Sequence, residues 1–345
     1  MTTDLPDLPM ETPPVPAATP VIGLVATVVI CAYTEERWDA LLAAVESVRA
    51  QLRPGDDVVV VIDHNAELRK RAAATFADSP DVRVLANTHG RGLSGARNTG
   101  VEAARGDVLA FLDDDATAQP GWLHELRAAF EDDAVAVVGT TVRPRWEGGR
   151  APRWFPPEFG WVVGCGYVGL PTETAVIRNP IGASMAIRSA AFTLVGGFSD
   201  LVGRVGALPV GCEETEFCIR LARSAPAAVI LHQPGSAVDH LVPADRQRLG
   251  YFVRRCFHEG RSKWAVTSLG GAKAGLSAER QYVRVVLPTG VFRGLRRALT
   301  RLDADALARA SVIVLGLSCT VLGFGAEALR GIRRPKPAPA KLGPR

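Results

Sequence analysis

The six cysteines, Cys31, Cys165, Cys212, Cys218, Cys256 and Cys319, form no C-x-x-C pair and no zinc-like spacing. That excludes a zinc ribbon and leaves reduced thiols in a cytosolic protein as the expectation. Cations are missing from the start of the chain. Met1 to Pro20 holds three acids, six prolines and no Lys or Arg, so it has neither the charged start nor the apolar run of a translocation signal. Residues 1–24 are expected to be a disordered lead-in. An apolar run of spanning length is also lacking. Ala310 to Ala326 is free of charge for only 17 residues, about 25 Å as a helix, against a bilayer core of ~30 Å.

What is present is enough apolar material for a full core, together with an uneven charge. At 345 residues and 47% hydrophobic side chains, the chain suits one large domain with appendages or two small domains. The net charge of +4 divides into 20 Lys/Arg against 31 Asp/Glu over residues 1–245, and 20 against 5 over residues 246–345. A basic block of this kind serves nucleic acid, an anionic membrane face or a phosphorylated substrate. Nucleic-acid readers interleave aromatics with their cations, and here Tyr251, Phe252, Phe257 and Trp264 do so only at the start of the block, so no nucleic-acid partner is expected.

Strands alternate with helices from residue 25 onward, which indicates a doubly wound parallel sheet. Val25 to Ala32 reads as the first strand, and Trp38 to Gln51 as a helix with apolar positions Leu41, Leu42, Val45 and Val48. Val58 to Ile62 is a continuous apolar strand closed by Asp63, and Val82 to Leu85 a shorter one. Val108 to Leu112 is the strand around which the chain is organised, because Asp113, Asp114 and Asp115 follow it at once. Three adjacent carboxylates repel one another unless a cation, water or hydrogen-bond donors offset the charge. At the carboxyl end of a strand, where such sheets bind ligands, the functional reading is a divalent ion that also grips a phosphate; the bland one is a solvated turn or helix cap.

Several other stretches leave alternatives open. Gly90, Gly92 and Gly95 form G-x-G-x-x-G between a strand and a helix, as in a dinucleotide fold, but in the third βα unit rather than the first. The same helix start carries Arg97 and Asn98, suited to phosphate contacts. Trp146, Trp154, Phe155, Phe159 and Trp161 lie in an irregular stretch, where rings stack on sugars, seat in a membrane interface or pin a loop to the core. Asn179 to Gly197 reads as a loop, a strand through Met185–Ile187 and a helix ended by a Gly pair. Glu213, Glu214 and Glu216 open a helix, where acids favour the dipole for structural reasons alone. Strands at Ala228–Leu231 and Ala237–Val238 end in Asp239-His240, and the imidazole beside a metal site would suit Mn²⁺ better than Mg²⁺.

Together these motifs resemble the family-2 inverting glycosyltransferases of the GT-A fold, of the bacterial, membrane-associated type, over roughly residues 26–245. VVICAYTE is similar to the family's first strand, and Asp63 stands where the family's acid meets a uracil. NTHGRGLSGARNTG resembles the stretch before the metal strand, LDDD the D-x-D position and EETE the E-D-x-D/E position. His240 lies where some members supply a further metal ligand. The sequence departs from that pattern at Glu214, one methylene longer than the usual Asp, which leaves the base open between Glu214 and Glu213.

The resemblance implies a Rossmann-like, mostly parallel α/β sheet flanked by helices over residues 25–245. It implies a hexosyltransferase using Mn²⁺ or Mg²⁺, a nucleotide-sugar donor (UDP-sugar favoured) and a glycan or lipid-linked acceptor, in polysaccharide biosynthesis. Metal ligands would be Asp115, Asp113 and His240. Donor contacts would come from Ala32, Tyr33, Glu35, Asp63, Arg97, Asn98, Asp113 and Asp114, and acceptor contacts from Trp154, Trp161, Gly182 and Glu216. A non-catalytic nucleotide-sugar or glycan-binding relative is the alternative, and a dinucleotide-dependent oxidoreductase a weaker one. Residues 246–301 are expected to form a basic helical extension. Residues 302–345 should add an apolar interfacial or re-entrant helix and a basic tail, held on an anionic membrane surface at the cytoplasmic face.

Overall fold

The computed structural model describes residues 23–199, 213–270 and 280–333. The expected disorder of residues 1–24 and the basic tail beyond Arg333 therefore lie almost wholly outside the described residues.

Among the described residues nine strands form one sheet; counted along the chain, they lie in the order third, second, first, fourth, eighth, sixth, ninth and fifth, with the seventh also on the ninth. The first half follows the predicted pattern. β1 (Ala26–Ala32), β2 (Asp57–Ile62), β3 (Val82–Ala86) and β4 (Val108–Asp113) are all parallel, connected by α1 (Trp38–Arg49), α2 (Ala66–Thr75) and α3 (Leu93–Ala103). Both faces of these strands are covered, which is why their sequences are unbroken apolar runs rather than alternating ones. Val28, Ile30, Val58 and Val60 pack on one side with Trp38, Leu41 and Val45 of α1. Val29, Val59 and Val61 pack on the other with Phe111, Phe192, Phe198 and Phe217.

Beyond β4 the parallel order ends. After β5 (Ala116–Ala118) and α4 (Trp122–Ala129), β6 (Val135–Trp146) takes a place beyond β8 (Ser184–Arg188), and β8 runs antiparallel to both β4 and β6. The sheet is therefore mixed, in keeping with the mostly parallel sheet expected, with β6 and β9 (Val229–Val242) again parallel to each other. The cause is the long excursion between β6 and β8, which carries the chain to the carboxyl end of β4 and lets β8 return from there. β9 joins the two short strands predicted separately, and its register with β6 breaks between Thr140 and Thr141, opposite Pro234 and Gly235. Proline cannot donate to a ladder, so the sequence shows an interruption where the chain makes only an irregularity. α5 (Ser189–Val195) and α6 (Glu213–Ser224) cover the second face.

The C-terminal extension is helical as predicted: α7 (Leu249–Gly270), a π turn at Tyr282–Val286, α8 (Leu287–Arg301) and α9 (Ala304–Arg333). α9 lies along α7 so closely that Gly260 abuts the Thr320 backbone and Gly323 the Phe257 backbone. The aromatic stretch between β6 and β7 (Ala175–Val176) forms a 3-10 turn over Pro157–Val163 that packs under these helices.

Candidate active site

Tyr33, Asp63 and the Asp113–Asp115 triplet stand at the carboxyl ends of β1, β2 and β4. Asp63 caps β2, its Oδ1 accepting from Asn87 Nδ2 at 2.7 Å and its Oδ2 from the Gly92 amide at 3.0 Å. Asp63 and Tyr33 line a cleft of about 370 Å³ with His64, Asn65, Ala66, Glu67 and Arg91. The cleft continues into a recess bordered by Cys31, Ala32, Gly92, Leu93, Ala96, Asp113 and Asp114. Expected donor contacts Ala32, Tyr33, Asp63, Asp113 and Asp114 therefore share one continuous hollow. Glu35 does not border it; it sits exposed in the 3-10 turn capped by the Thr34 hydroxyl.

The Asp triplet is divided by its partners. Asp115 is buried, with Oδ1 3.1 Å from His240 Nε2 and Oδ2 3.1 Å from Arg37 Nη1 and 3.5 Å from Arg246 Nη2. Burial alone would raise its pKa, but His240 and the two guanidiniums outweigh burial and hold it well below the carboxylate range. His240 is correspondingly raised to about 10, because the Asp115 charge overcomes burial. Asp114 pairs with Arg37 at 2.9 Å, yet burial and its two neighbours push it up to about 7, and its Oδ2 meets no described partner. Asp113 is the most open of the three. It lies 3.8 Å from His240 and 3.6 Å from Arg97.

β5 explains how His240 reaches the triplet. Ala116 pairs with His240 across the antiparallel β5–β9 ladder, so the residue after Asp115 sets the register of β9. Behind the imidazole, Cys165 Sγ lies 3.7 Å from Nδ1, and Gly164, at φ +83°, leaves room beside Cε1. One ligand atom each from Asp113, Asp115 and His240 lies within 4.8 Å of the others. Two carboxylates and an imidazole form a set of hard and borderline donors that fits Mn²⁺ or a similar divalent ion.

The second acidic group lies across Arg97. This guanidinium is buried, bonds Glu213 Oε1 at 2.9 Å and the Gly182 carbonyl at 2.8 Å, and reaches toward Asp113. Arg97 was expected to touch the donor; it is instead the cation that ties the metal strand to the acidic helix. Glu213 is thereby neutralised in an ion pair. Glu214 has no such pair among the described residues, and burial, reinforced by the charge of Glu213 against the opposing pull of Arg97, pushes it up to about 8. A carboxyl in that state accepts a proton far more readily than a paired one. Gly182 stands directly before the pair: a Cβ there would meet Arg97 Nη2 at 3.2 Å and Glu214 Oε2 at 3.6 Å.

Four further assignments change on the structure. Asn98 uses its amide on the backbone of Phe198, accepting from N at 2.7 Å and donating to O at 2.8 Å, so it fastens a loop where a nucleotide contact was expected. Glu216 pairs with Arg220 at 2.7 Å, and Arg220 in turn donates to the Val195 and Gly197 carbonyls behind α5, so Glu216 supports packing. Trp154 stacks edge-on against Phe252 of α7 at 5.8 Å. Trp161 donates to Tyr282 Oη at 3.0 Å. Both rings join the extension to the sheet domain, the bland reading of that stretch. Conversely, Arg37, Arg246 and Cys165 were not anticipated. Arg37 had a weak signal, a cation just after the first strand; Arg246 had none, being one of many arginines in the basic block.

These features have counterparts in known proteins. Residues 27–193 match the model of glycosyl transferase family 2. A glucosyl-dolichyl phosphate glucuronosyltransferase of Haloferax volcanii is 38% identical over 239 residues, covering 69% of this chain and 75% of the relative. The succinoglycan biosynthesis protein ExoM of Rhizobium meliloti is 28% identical over 302 residues, 77% of this chain and 91% of that one. The chain belongs to glycosyltransferase family 2 and is a glycosyltransferase. Its fold is the GT-A type: a mannosyltransferase of Pyrobaculum calidifontis, solved with GDP-mannose and Mn²⁺, superposes with a TM-score of 0.56 over 92% of this chain and 89% of that one, at 20% identity. The glycine-rich turn before α3 thus belongs to a sugar transferase and not to an oxidoreductase. Gly95 is required there because a side chain would strike the Gly90 carbonyl.

Proposed function

We propose that the protein transfers a hexosyl residue from a nucleotide sugar, with UDP-sugars favoured, to a lipid-linked or growing glycan acceptor, with inversion at the anomeric carbon. The observation that supports this most is the placement of two unlike acidic groups on either side of Arg97: the Asp113–Asp115–His240 cluster and the unpaired Glu214. Asp113, Asp115 and His240 would hold Mn²⁺ or Mg²⁺, which when bound neutralises charge developing on the departing diphosphate. Tyr33 and Asp63 would border the base, and Arg37 would hold Asp114 and Asp115 in position. Glu214 would take the proton of the acceptor hydroxyl as that oxygen attacks from the face opposite the diphosphate, so a single displacement inverts the centre. Gly182 leaves the space that the acceptor requires next to Glu214.

The names of the relatives support this reading, since one acts on a dolichyl phosphate-linked sugar and another serves succinoglycan biosynthesis. Among the described residues one helix, Ala304–Arg330, is long and apolar enough to cross a membrane by length and composition, which the 17-residue uncharged run alone did not suggest. Attachment at the cytoplasmic face of a membrane, where nucleotide sugars are made, is part of the same proposal. A screen of UDP- and GDP-sugars with Mn²⁺ or Mg²⁺, measuring nucleotide release with and without acceptor, tests it. Turnover should appear with one donor class and vanish in Asp115→Ala; undiminished turnover in that variant would refute the metal assignment.

A further inference from the structure

The helical extension is one-sided in a way the transfer site does not require. α9 buries Ala306, Ala310 and Ile313 but exposes Leu307 (47%), Val314 (53%), Leu322 (64%) and Leu329 (64%). These recur at helical spacing and draw an apolar stripe roughly 33 Å long from Leu307 to Leu329. The other side of α9 is seated on α7. Phe324 meets Trp264 edge-on at 5.3 Å, and Glu327 pairs with Arg261 at 2.7 Å. α7 is not a membrane helix: it carries Arg254, Arg255, His258, Glu259, Arg261 and Lys263. If α9 crossed a bilayer, these charges would enter hydrocarbon with it or the contacts at Gly260 and Gly323 would have to open.

α8 shows the complementary pattern. Gly290 and Gly294 face α9, where a Cβ on Gly294 would lie 2.8 Å from the Ala306 carbonyl. The outward side presents Phe292 (68% exposed), Leu295 (43%), Leu299 (82%) and Leu302 (89%), at i, i+3, i+7 and i+10. Arg293, Arg296, Arg297 and Arg301 are exposed beside this stripe, and none makes an ion pair with a described residue. Leu302, at φ +52°, turns the chain back into α9. An apolar stripe flanked by unpaired guanidiniums is the chemistry of a helix lying in an anionic interface, with the rings and leucines among the acyl chains and the cations at the headgroups.

We infer that the α8–α9 hairpin attaches the enzyme tangentially to one leaflet of a membrane containing anionic phospholipid, and that α9 lies in the interface without spanning it. This rests on the membrane reading above and specifies its geometry. It also ties the hairpin to the turn beside His240. Tyr282, just before α8, donates to the Glu158 carbonyl at 2.7 Å, and the turn containing Glu158 ends at Gly164, against His240.

The test uses the full chain with vesicles of phosphatidylcholine alone or mixed with phosphatidylglycerol. Flotation should be strong with the mixed vesicles and weak with the neutral ones. Arg293→Gln/Arg296→Gln/Arg297→Gln should lower the partition coefficient on the order of a hundredfold, at about fivefold per cation. Phe292→Ser/Leu299→Ser should weaken attachment to both vesicles, while nucleotide release from a soluble acceptor assay stays unchanged. A fluorescent amino acid in place of Leu307, Leu315, Leu322 or Leu329, quenched by brominated lipids, should report the same shallow depth at all four sites. Strong flotation with a depth that is greatest in the middle of α9 would overturn the tangential geometry but keep membrane attachment. No flotation with either vesicle would overturn both, and concentration-dependent dimerisation in its place would assign the stripe to a second copy of the chain.

Discussion

Glu214 provides the most direct test of the catalytic assignment. Burial and the charge of Glu213 raise its pKa to about 8, so it is protonated below that pH and can act as a base only above it. About one tenth of the enzyme would carry an ionised Glu214 at pH 7 and about nine tenths at pH 9, so kcat/KM should climb about ninefold to tenfold between them. Glu214→Gln should remove this rising limb and lower kcat by roughly 10² to 10⁴. Glu213→Gln should retain the limb but move its midpoint to lower pH, since it deletes the neighbouring charge that holds the Glu214 proton in place. The assay is release of nucleoside diphosphate in saturating metal and donor, with acceptor varied across the pH range. A Glu214→Gln enzyme within tenfold of wild type and with the same limb would refute the base assignment and return attention to Glu213.

Other consequences can be checked independently of the acceptor. Asp115→Asn should weaken Mn²⁺ binding at least about tenfold in an electron paramagnetic resonance titration, because perturbing even the surroundings of a metal site commonly costs that much; unchanged affinity would remove Asp115 from the ligand set. Arg97→Met should cost about 3–5 kcal/mol in urea unfolding, since it strands Glu213 as a buried carboxylate without its cation. Arg97→Lys should recover part of that, and an unaltered midpoint in Arg97→Met would show that the Arg97–Glu213 pair adds nothing to stability. Gly164→Ala forces a Cβ at φ +83° to within 3.3 Å of His240 Cε1. It should destabilise the protein by roughly 1–2 kcal/mol and weaken Mn²⁺ binding; an effect on stability with none on the metal would mean that the turn has no hold on the imidazole.

The sequence alone determined the parallel half of the sheet, the Asp triplet at the end of β4, the acid after β2 and the acidic start of α6. All of these are written in short windows: a continuous apolar run marks a buried strand, and polar residues at its end mark the ligand edge. The family resemblance was legible for the same reason, through motifs in order along the chain. Which member of the glutamate pair is free was not legible, because it depends on Arg97, 116 residues from Glu213. Nor was the division of the Asp triplet, set by Arg37, 77 residues before Asp114, and by Arg246 from the basic block. The antiparallel insertion of β8 and the contacts of Trp154 with Phe252 and of Trp161 with Tyr282 likewise required the folded chain. Local pattern fixes where a strand ends and which groups stand there; only tertiary packing decides which cation reaches which carboxylate, and therefore which acid is left to accept a proton.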